Sequence, residues 1–402
     1  MPSPVETSPL LPEALGPYAP EESAHVARMV QLLSAEAAHS RGPLPFDRYM
    51  ELALYAPGAG YYVAGARKFG RAGDFVTAPD ISPLFGRSLA LQCLEVLDAL
   101  GGGEIFEFGA GAGSMAIDLL GELERRDALP GAYRILEVSG ELRERQRAAF
   151  AERAPHLLGL VSWTDDLPGR GFRGVVLGNE LLDAMPVHRF RRVADGVEEM
   201  HVAIQDDGGL APCWLPAGAP ALEPAVARLE RRLGALPEGY LSEVNLRLAP
   251  WLGALGERVD AGLVLLIDYG YAAREYYHPE RRTGTLVCHF RHRAHADPLV
   301  LPGLQDITAN VDFSAVAEAG ARAGFGVCGY ATQAHFLIGC GIDELLAASD
   351  PADVAAHLEQ VQGVKLLTLP SEMGERFKAI GLARDLDTPL RGFRMRDLRD
   401  RL

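Results

Sequence analysis

Short apolar runs recur through the middle of the chain, and stretches of helical spacing separate them. The runs are Glu104–Phe108, Tyr133–Ser139, Val161–Asp166, Gly174–Glu180 and Gly262–Gly270, with Phe325–Tyr330 closing the series. One intervening helix starts near Ser114; the next, Glu141–Arg153, sets a charged face against Leu142 and Phe150. Strands alternating with helices predict an α/β domain of Rossmann type, a parallel sheet covered on both faces. Ahead of the sheet, Val26, Met29, Val30 and Leu33 give Glu21–His39 a helical period, and helices are expected over Phe46–Leu54 and Ser82–Leu100. Between them lies the loop Tyr61–Gly73, with Arg67, Lys68 and Arg71. This section has no strand alternation, so it is expected to form a helical cap or a packing layer. Past the fourth strand, Val187–Val193 and Glu198–Ile204 flank the turn dipeptide Asp195-Gly196 and predict a hairpin. A loop over Asp206–Pro224, helices over Leu222–Leu233 and Glu243–Val259, and an aperiodic Arg274–Pro302 follow. Helices are expected over Phe313–Ala323, Gln333–Leu346, Ala352–Leu358 and Met373–Gly381. The organisation expected is a flexible tail over 1–20, a helical cap over 21–100 and a catalytic domain over 101–402 with insertions near 205–260 and 275–310.

Composition narrows the partners. The net charge of −15 comes with no basic run except Arg391–Arg401, where acids intervene. Phosphate backbones need grouped Lys and Arg, so nucleic acid is not expected as a partner, and basic or arginine-bearing partners suit the charge better. The five cysteines, Cys93, Cys213, Cys288, Cys328 and Cys340, are scattered without a C-x-x-C pair. That spacing predicts free thiols in a reducing compartment and no structural zinc. The Pro-rich start contains Glu13 and neither Lys nor Arg in its first 20 residues, unlike a signal or transit peptide. No apolar run reaches the roughly 18 residues of a membrane helix. The expectation is a cytoplasmic protein, and the scarcity of Lys beside abundant Arg, Ala and Gly matches a G+C-rich bacterial genome. A homodimer is compatible with the sequence but not demanded by it.

The sharpest chemical signal is Glu107-Phe108-Gly109-Ala110-Gly111-Ala112-Gly113 between the first strand and the helix at Ser114. Alternate glycines permit a turn with positive φ and a close approach of backbone to ligand. The G-x-G-x-G spacing differs from the dinucleotide fingerprint, and no Lys or Thr follows to make a P-loop. Glu137 stands about 20 residues on, where doubly wound folds place an acid for ribose hydroxyls. A carboxylate accepts two hydroxyl donors at once; the plainer alternative is an acid that ends a strand or caps a helix. Asp166 is placed, by position alone, where an adenine amine would donate.

The E-x-G-x-G-x-G turn with its following acid resembles motif I of the class I S-adenosylmethionine (SAM) methyltransferases. Longer segments are more specific: Gly73–Gly86, Glu137-Val138-Ser139, Gly178–Phe190, Asp268-Tyr269-Gly270 and Met373–Phe377. Together, and in this order, they resemble the MidA-like family over about Leu44 to Arg384. That family includes the mitochondrial complex I assembly-factor protein arginine methyltransferase and many bacterial relatives. The resemblance implies a SAM-dependent enzyme with S-adenosyl-L-methionine as cofactor. It implies cofactor contacts from Glu107, Gly109, Gly111, Gly113, Glu137, Val138 and Asn179, and a bordering loop with Asp74, Thr77 and Ser82.

Glu180 and Asp183 are the candidate catalytic acids, flanking Leu181-Leu182 just past the fourth strand. A guanidinium acceptor is protonated and delocalised, so carboxylates must orient it by a fork. The three-residue spacing shares one face if a helix begins there; Asp183 as a simple helix cap is the alternative. His188 is the candidate to take up a proton, or else a structural histidine. Asn179 can face cofactor or acceptor. His289, His292 and His295 lie three apart in an Arg-rich stretch without distant ligands of matching pattern, so no metal is expected. Three functions compete: methylation of arginine on a protein, O- or N-methylation of a small molecule, and a catalytically silent assembly role. The intact glycine turn and Glu137 speak against the last.

Overall fold

The computed structural model describes residues 9–63, 76–349 and 353–402. Asp74, the basic loop residues Arg67, Lys68 and Arg71, and the first residue of the helix expected at Ala352 lie outside them. Two compact units emerge, Met1–Phe75 with Asp183–Arg247 and Arg274–Asn310, and Val76–Leu182 with Leu248–Ala273 and Val311–Leu402. This division differs from a helical cap ending at residue 100. The expected cap helices separate: Pro20–Ser40 and Phe46–Tyr55 belong to the first unit, Pro83–Leu100 to the second.

The second unit is the predicted α/β domain. Its strands are β1 (Glu104–Phe108), β2 (Tyr133–Leu136), β3 (Val161–Thr164), β4 (Phe172–Asn179), β5 (Val259–Tyr271), β6 (Gly326–Thr332) and β7 (Phe377–Arg384). They lie in the order β6-β7-β5-β4-β1-β2-β3, and the short strand Val311–Asp312 adds to the end of β5. The pairs from β5 to β3 are parallel, while β7 is antiparallel to both β5 and β6. Three helices frame the glycine turn: α1 (Pro83–Leu100), α2 (Ser114–Arg125) and α3 (Gly140–Arg153). Proline opens α1 at its first position, the Ser82 hydroxyl accepts the Leu84 N–H at 3.2 Å, and left-handed Gly101 ends it. One apolar core joins α1 and α2 to β1, β4 and β5 through Leu89, Val96, Leu119, Ile105, Val175 and Leu265.

The Met373–Gly381 helix is the clearest correction. Only Met373–Arg376 turns helically; Phe377–Arg384 is the antiparallel strand β7. Both faces of β7 are covered, so its buried positions run on without the alternation that marks a half-buried strand. Gln333–Leu346 breaks in two at left-handed Gly341.

The first unit contains an antiparallel five-stranded sheet and a three-stranded one. The hairpin His188–Val193 with Gly196–Ile204 forms as expected. The Asp206–Pro224 loop instead holds a strand, Leu210–Pro216, paired with Gly196–Ile204. The expected Glu243–Val259 helix divides into a strand of this unit, Leu241–Val244, and a shorter helix, Leu248–Gly256, that belongs to the second unit. Val287–Phe290 pairs with Arg293–His295 and Asp306–Thr308 inside the stretch expected to be aperiodic. The segment from Leu10 onward is not a loose tail. Leu11, Leu15 and Tyr18 pack on Phe290, Val300 and Leu301, and the Leu301 N–H donates to the Leu10 carbonyl at 2.8 Å. Its few apolar residues find a surface to cover. Among the described residues no helix is long and apolar enough to cross a membrane.

Candidate active site

The carboxyl edge of the second unit's sheet gathers most of the candidate residues. Strand order reverses between β1 and β4, the point where open α/β sheets bind ligands. After β1 the chain turns through Gly109, Gly111 and Gly113 at φ of 61°, 54° and 83°. A Cβ on Gly109 or Gly111 would meet nothing within 4 Å, so the turn borders open space. On Gly113 it would meet Gln146 Cγ at 3.4 Å. Glu107 does not face that space as a free carboxylate. It is 1% exposed, accepts the Tyr133 hydroxyl at 2.8 Å, and burial pushes its pKa up to about 8.

At the end of β2, Glu137 stands where the ribose acid was expected. Its Oε1 accepts the Ser139 N–H at 3.0 Å and its Oε2 accepts Gln146 Nε2 at 3.1 Å. Burial raises its pKa, and these hydrogen bonds and Arg143 oppose the rise. Val138 beside it is 61% exposed, an apolar side chain presented to solvent. Arg143 donates to the Glu137 carbonyl at 2.6 Å and to the Thr164 carbonyl at 3.1 Å, and pairs with Asp165. It thereby ties the end of β2 to the end of β3, where Asp166 is exposed.

The end of β4 is built differently. Glu180 adopts φ of 50°, a left-handed conformation that costs a non-glycine residue roughly 1–3 kcal/mol. Its N–H donates to the Ile267 carbonyl at 2.9 Å, and Asp268 Oδ2 on β5 accepts the Leu182 N–H at 2.8 Å. Glu180 Oε1 accepts Asn179 Nδ2 at 3.2 Å and the Ala78 N–H at 3.4 Å. A carboxylate only accepts, so the Asn179 amide must turn its nitrogen toward Glu180. Asn179 Oδ1 is left buried with no hydrogen-bond partner among the described residues. No helix begins here: residues 181–187 form a turn and irregular chain. The shared helical face expected for Glu180 and Asp183 is therefore absent, and Asp183 falls in the first unit. The N–H groups of Glu180 and Leu182 are instead taken by Ile267 and Asp268 on β5.

Thr77 and Ser82 are engaged locally. The Thr77 hydroxyl donates to Asp80 Oδ2 at 3.0 Å, and Ser82 is buried as the α1 cap.

Within the first unit, Asp183 is buried and its carbonyl accepts the Ala309 N–H at 3.0 Å. His188 is also buried; its Nδ1 lies 2.6 Å from Glu199 Oε1 and its Nε2 3.6 Å from Asp47 Oδ2. Carboxylates thus face both ring nitrogens, in place of the open proton acceptor expected. Asp47, His188 and Glu199 bring potential ligand atoms within 4.8 Å of one another. The Nδ1–Oε1 separation is a hydrogen bond, whereas two ligands on one zinc ion stand about 3.3 Å apart. Glu199 Oε2 also accepts the Gly218 and Ala219 N–H groups, and Arg247 pairs with Asp47. The cluster is a chain of polar side-chain contacts that ends on the Arg247–Asp47 ion pair. Among the described residues His289, His292 and His295 form no such group.

Two residues of the edge escaped the sequence reading: Gln146 and Trp163, joined by a 2.7 Å hydrogen bond. The signal for Gln146 was its place midway between Leu142 and Phe150, a polar residue in the apolar stripe of α3.

The comparisons with known proteins bear on the family and the fold. Residues 88–331 match the model of the family described as "Putative S-adenosyl-L-methionine-dependent methyltransferase". A protein of Burkholderia thailandensis, solved bound to S-adenosyl-homocysteine, is similar at 43% identity and a TM-score of 0.91, over 96% of this chain and 100% of its own. The mitochondrial protein arginine methyltransferase NDUFAF7 homologue of Drosophila melanogaster is 31% identical over 85% of this chain and 82% of its own. The NDUFAF7 protein arginine methyltransferase of Rattus norvegicus is 31% identical over 90% of this chain and 86% of its own.

Proposed function

This chain belongs to the S-adenosyl-L-methionine-dependent methyltransferase family that includes the MidA-like proteins, and on that premise we propose that it methylates an arginine side chain of a protein substrate. The residues at the sheet edge fit the cofactor. The space beside Gly109 and Gly111 is open, and Glu137 keeps acceptor capacity for a diol. When bound, SAM supplies an electrophilic sulfonium methyl group.

The observation that carries the acceptor assignment is the pair at the end of β4. A carboxylate held in a strained backbone, beside an amide oxygen with no partner, suits a cation with several N–H donors. In this reading Glu180 holds and orients the guanidinium, and Asn179 holds the Glu180 carboxylate through Nδ2. The N–CH3 bond forms as the C–S bond breaks, and the displaced N–H proton passes to Glu180 or to water. Rate comes mainly from alignment, because the leaving thioether is neutral. The relatives' names support a protein acceptor, and the net charge of −15 suits a basic segment.

Labelled SAM added with the enzyme to a cell lysate, then separated by size, tests the proposal. Label in protein that maps to arginine is the expected result. Label confined to small molecules would replace it with the small-molecule reading.

A further inference from the structure

Gln146 is wholly buried on the apolar stripe of α3, between Leu142 and Phe150. A buried amide without partners is costly, and this one is satisfied from three separate segments. Its Nε2 donates to the Gly111 carbonyl at 3.0 Å and to Glu137 Oε2 at 3.1 Å. Its Oε1 accepts the Trp163 indole N–H at 2.7 Å. The glycine turn after β1, the acid after β2 and the end of β3 thus meet on one side chain.

The orientation of this amide is forced. An indole nitrogen can only donate, so Oε1 must face Trp163 and the two amide hydrogens must face Gly111 and Glu137. Glu137 is held in turn, with one donor on each oxygen, Ser139 N–H and Gln146 Nε2. Each carboxylate oxygen keeps further acceptor capacity. Two neighbouring acceptors in a fixed plane are what a vicinal diol requires.

Resting on the cofactor reading above, we infer that Gln146 is a positioning residue that fixes the Glu137 carboxylate for the two ribose hydroxyls, with Trp163 setting the direction of its amide. The arrangement makes ribose recognition depend on a side chain that faces away from solvent.

Calorimetry with S-adenosylhomocysteine and its 2′,3′-dideoxy analogue separates this role from simple packing. The wild type is expected to prefer the ribose form by at least about 30-fold, the effect of two hydrogen bonds to a charged group. Gln146→Met, of similar volume, is expected to lose about tenfold in affinity for S-adenosylhomocysteine and less than about threefold for the analogue. Gln146→Glu sets a carboxylate against Glu137 and the Gly111 carbonyl; it is expected to lose at least about 100-fold at pH 8 and to recover partly at pH 5.5, where the pair can share a proton. If Gln146→Met proves unstable on thermal melting, Trp163→Phe removes the orienting N–H and is expected to lower affinity for the ribose form alone by about threefold to fivefold.

Equal loss for both ligands, or none, in the variants would overturn the inference. A wild type that binds both ligands equally would overturn it too, together with the ribose role of Glu137, while leaving the methyltransferase reading intact. No binding of S-adenosylhomocysteine to folded wild type would remove that reading itself.

Discussion

The two sides of the sheet's carboxyl edge are finished to different degrees. On the β1–β2–β3 side, Gln146, Arg143 and the Ser139 N–H cross-brace the loops, and the Glu137 carboxylate is held at both oxygens. On the β4–β5 side, Glu180 sits in left-handed backbone and Asn179 Oδ1 has no partner among the described residues. A braced frame fixes the placement of a ligand with little reorganisation on binding. A strained, incompletely paired edge reaches its full set of hydrogen bonds only when a donor arrives. On the reading proposed above, the first side holds the part of the cofactor that does not react and the second side the reacting centre.

Substitutions should divide along the same line. The largest effect is expected at Gly111, where the backbone holds φ of 54°. Gly111→Val has room for its Cβ in the structure, but a β-branched residue is strained there and fills the space open to the ligand. Calorimetry should find S-adenosylhomocysteine binding reduced beyond detection in a protein that still melts cooperatively.

A smaller effect, confined to the other side, is expected from Asp268→Asn. Its carboxylate accepts the Leu182 N–H and the Tyr269 N–H; an amide can serve only one of them. The turn behind Glu180 should loosen, lowering kcat about tenfold while cofactor affinity stays within about threefold. Equal falls in both quantities would show that the two sides are not separable.

The smallest effect concerns stability rather than activity. Glu107 is held neutral by burial, with a folded pKa of about 8 against 4.5 as the ordinary value. The folded state therefore binds the extra proton, so this contribution is full below pH 4.5 and is lost as pH rises toward 8. Glu107→Gln can still accept the Tyr133 hydroxyl but does not titrate. The fall in melting temperature from pH 5 to pH 8 should be shallower by a few degrees in the variant, and identical slopes would contradict the buried neutral acid.

Much of this edge was legible in the sequence. Alternating strands and helices, three glycines on alternate positions and an acid at the next strand end are local patterns, and the structure keeps them. What was hidden depended on tertiary partners. β7 is covered on both faces, so its apolar run carried no period to separate strand from helix. The bend at Glu180 is imposed by Ile267 and Asp268, which lie on a strand more than 80 residues away along the chain. The Leu181–Pro186 stretch offered helical spacing that the structure does not use. His188 looked like an available base because its neighbours Glu199 and Asp47 come from a hairpin partner and a distant helix. Gln146 was detectable as one amide in an apolar stripe, yet its three partners come from separate segments of the chain.

The division between a binding side and a reacting side rests most heavily on Glu180. The decisive measurement takes one preparation of Glu180→Gln and determines both its affinity for S-adenosylhomocysteine and its single-turnover rate of methyl transfer to the arginine substrate. The expected result is an affinity within about threefold of wild type with a rate reduced at least about 100-fold, the loss of a charge-assisted fork in a water-poor site. A rate close to wild type, or affinity and rate falling in parallel, would contradict it.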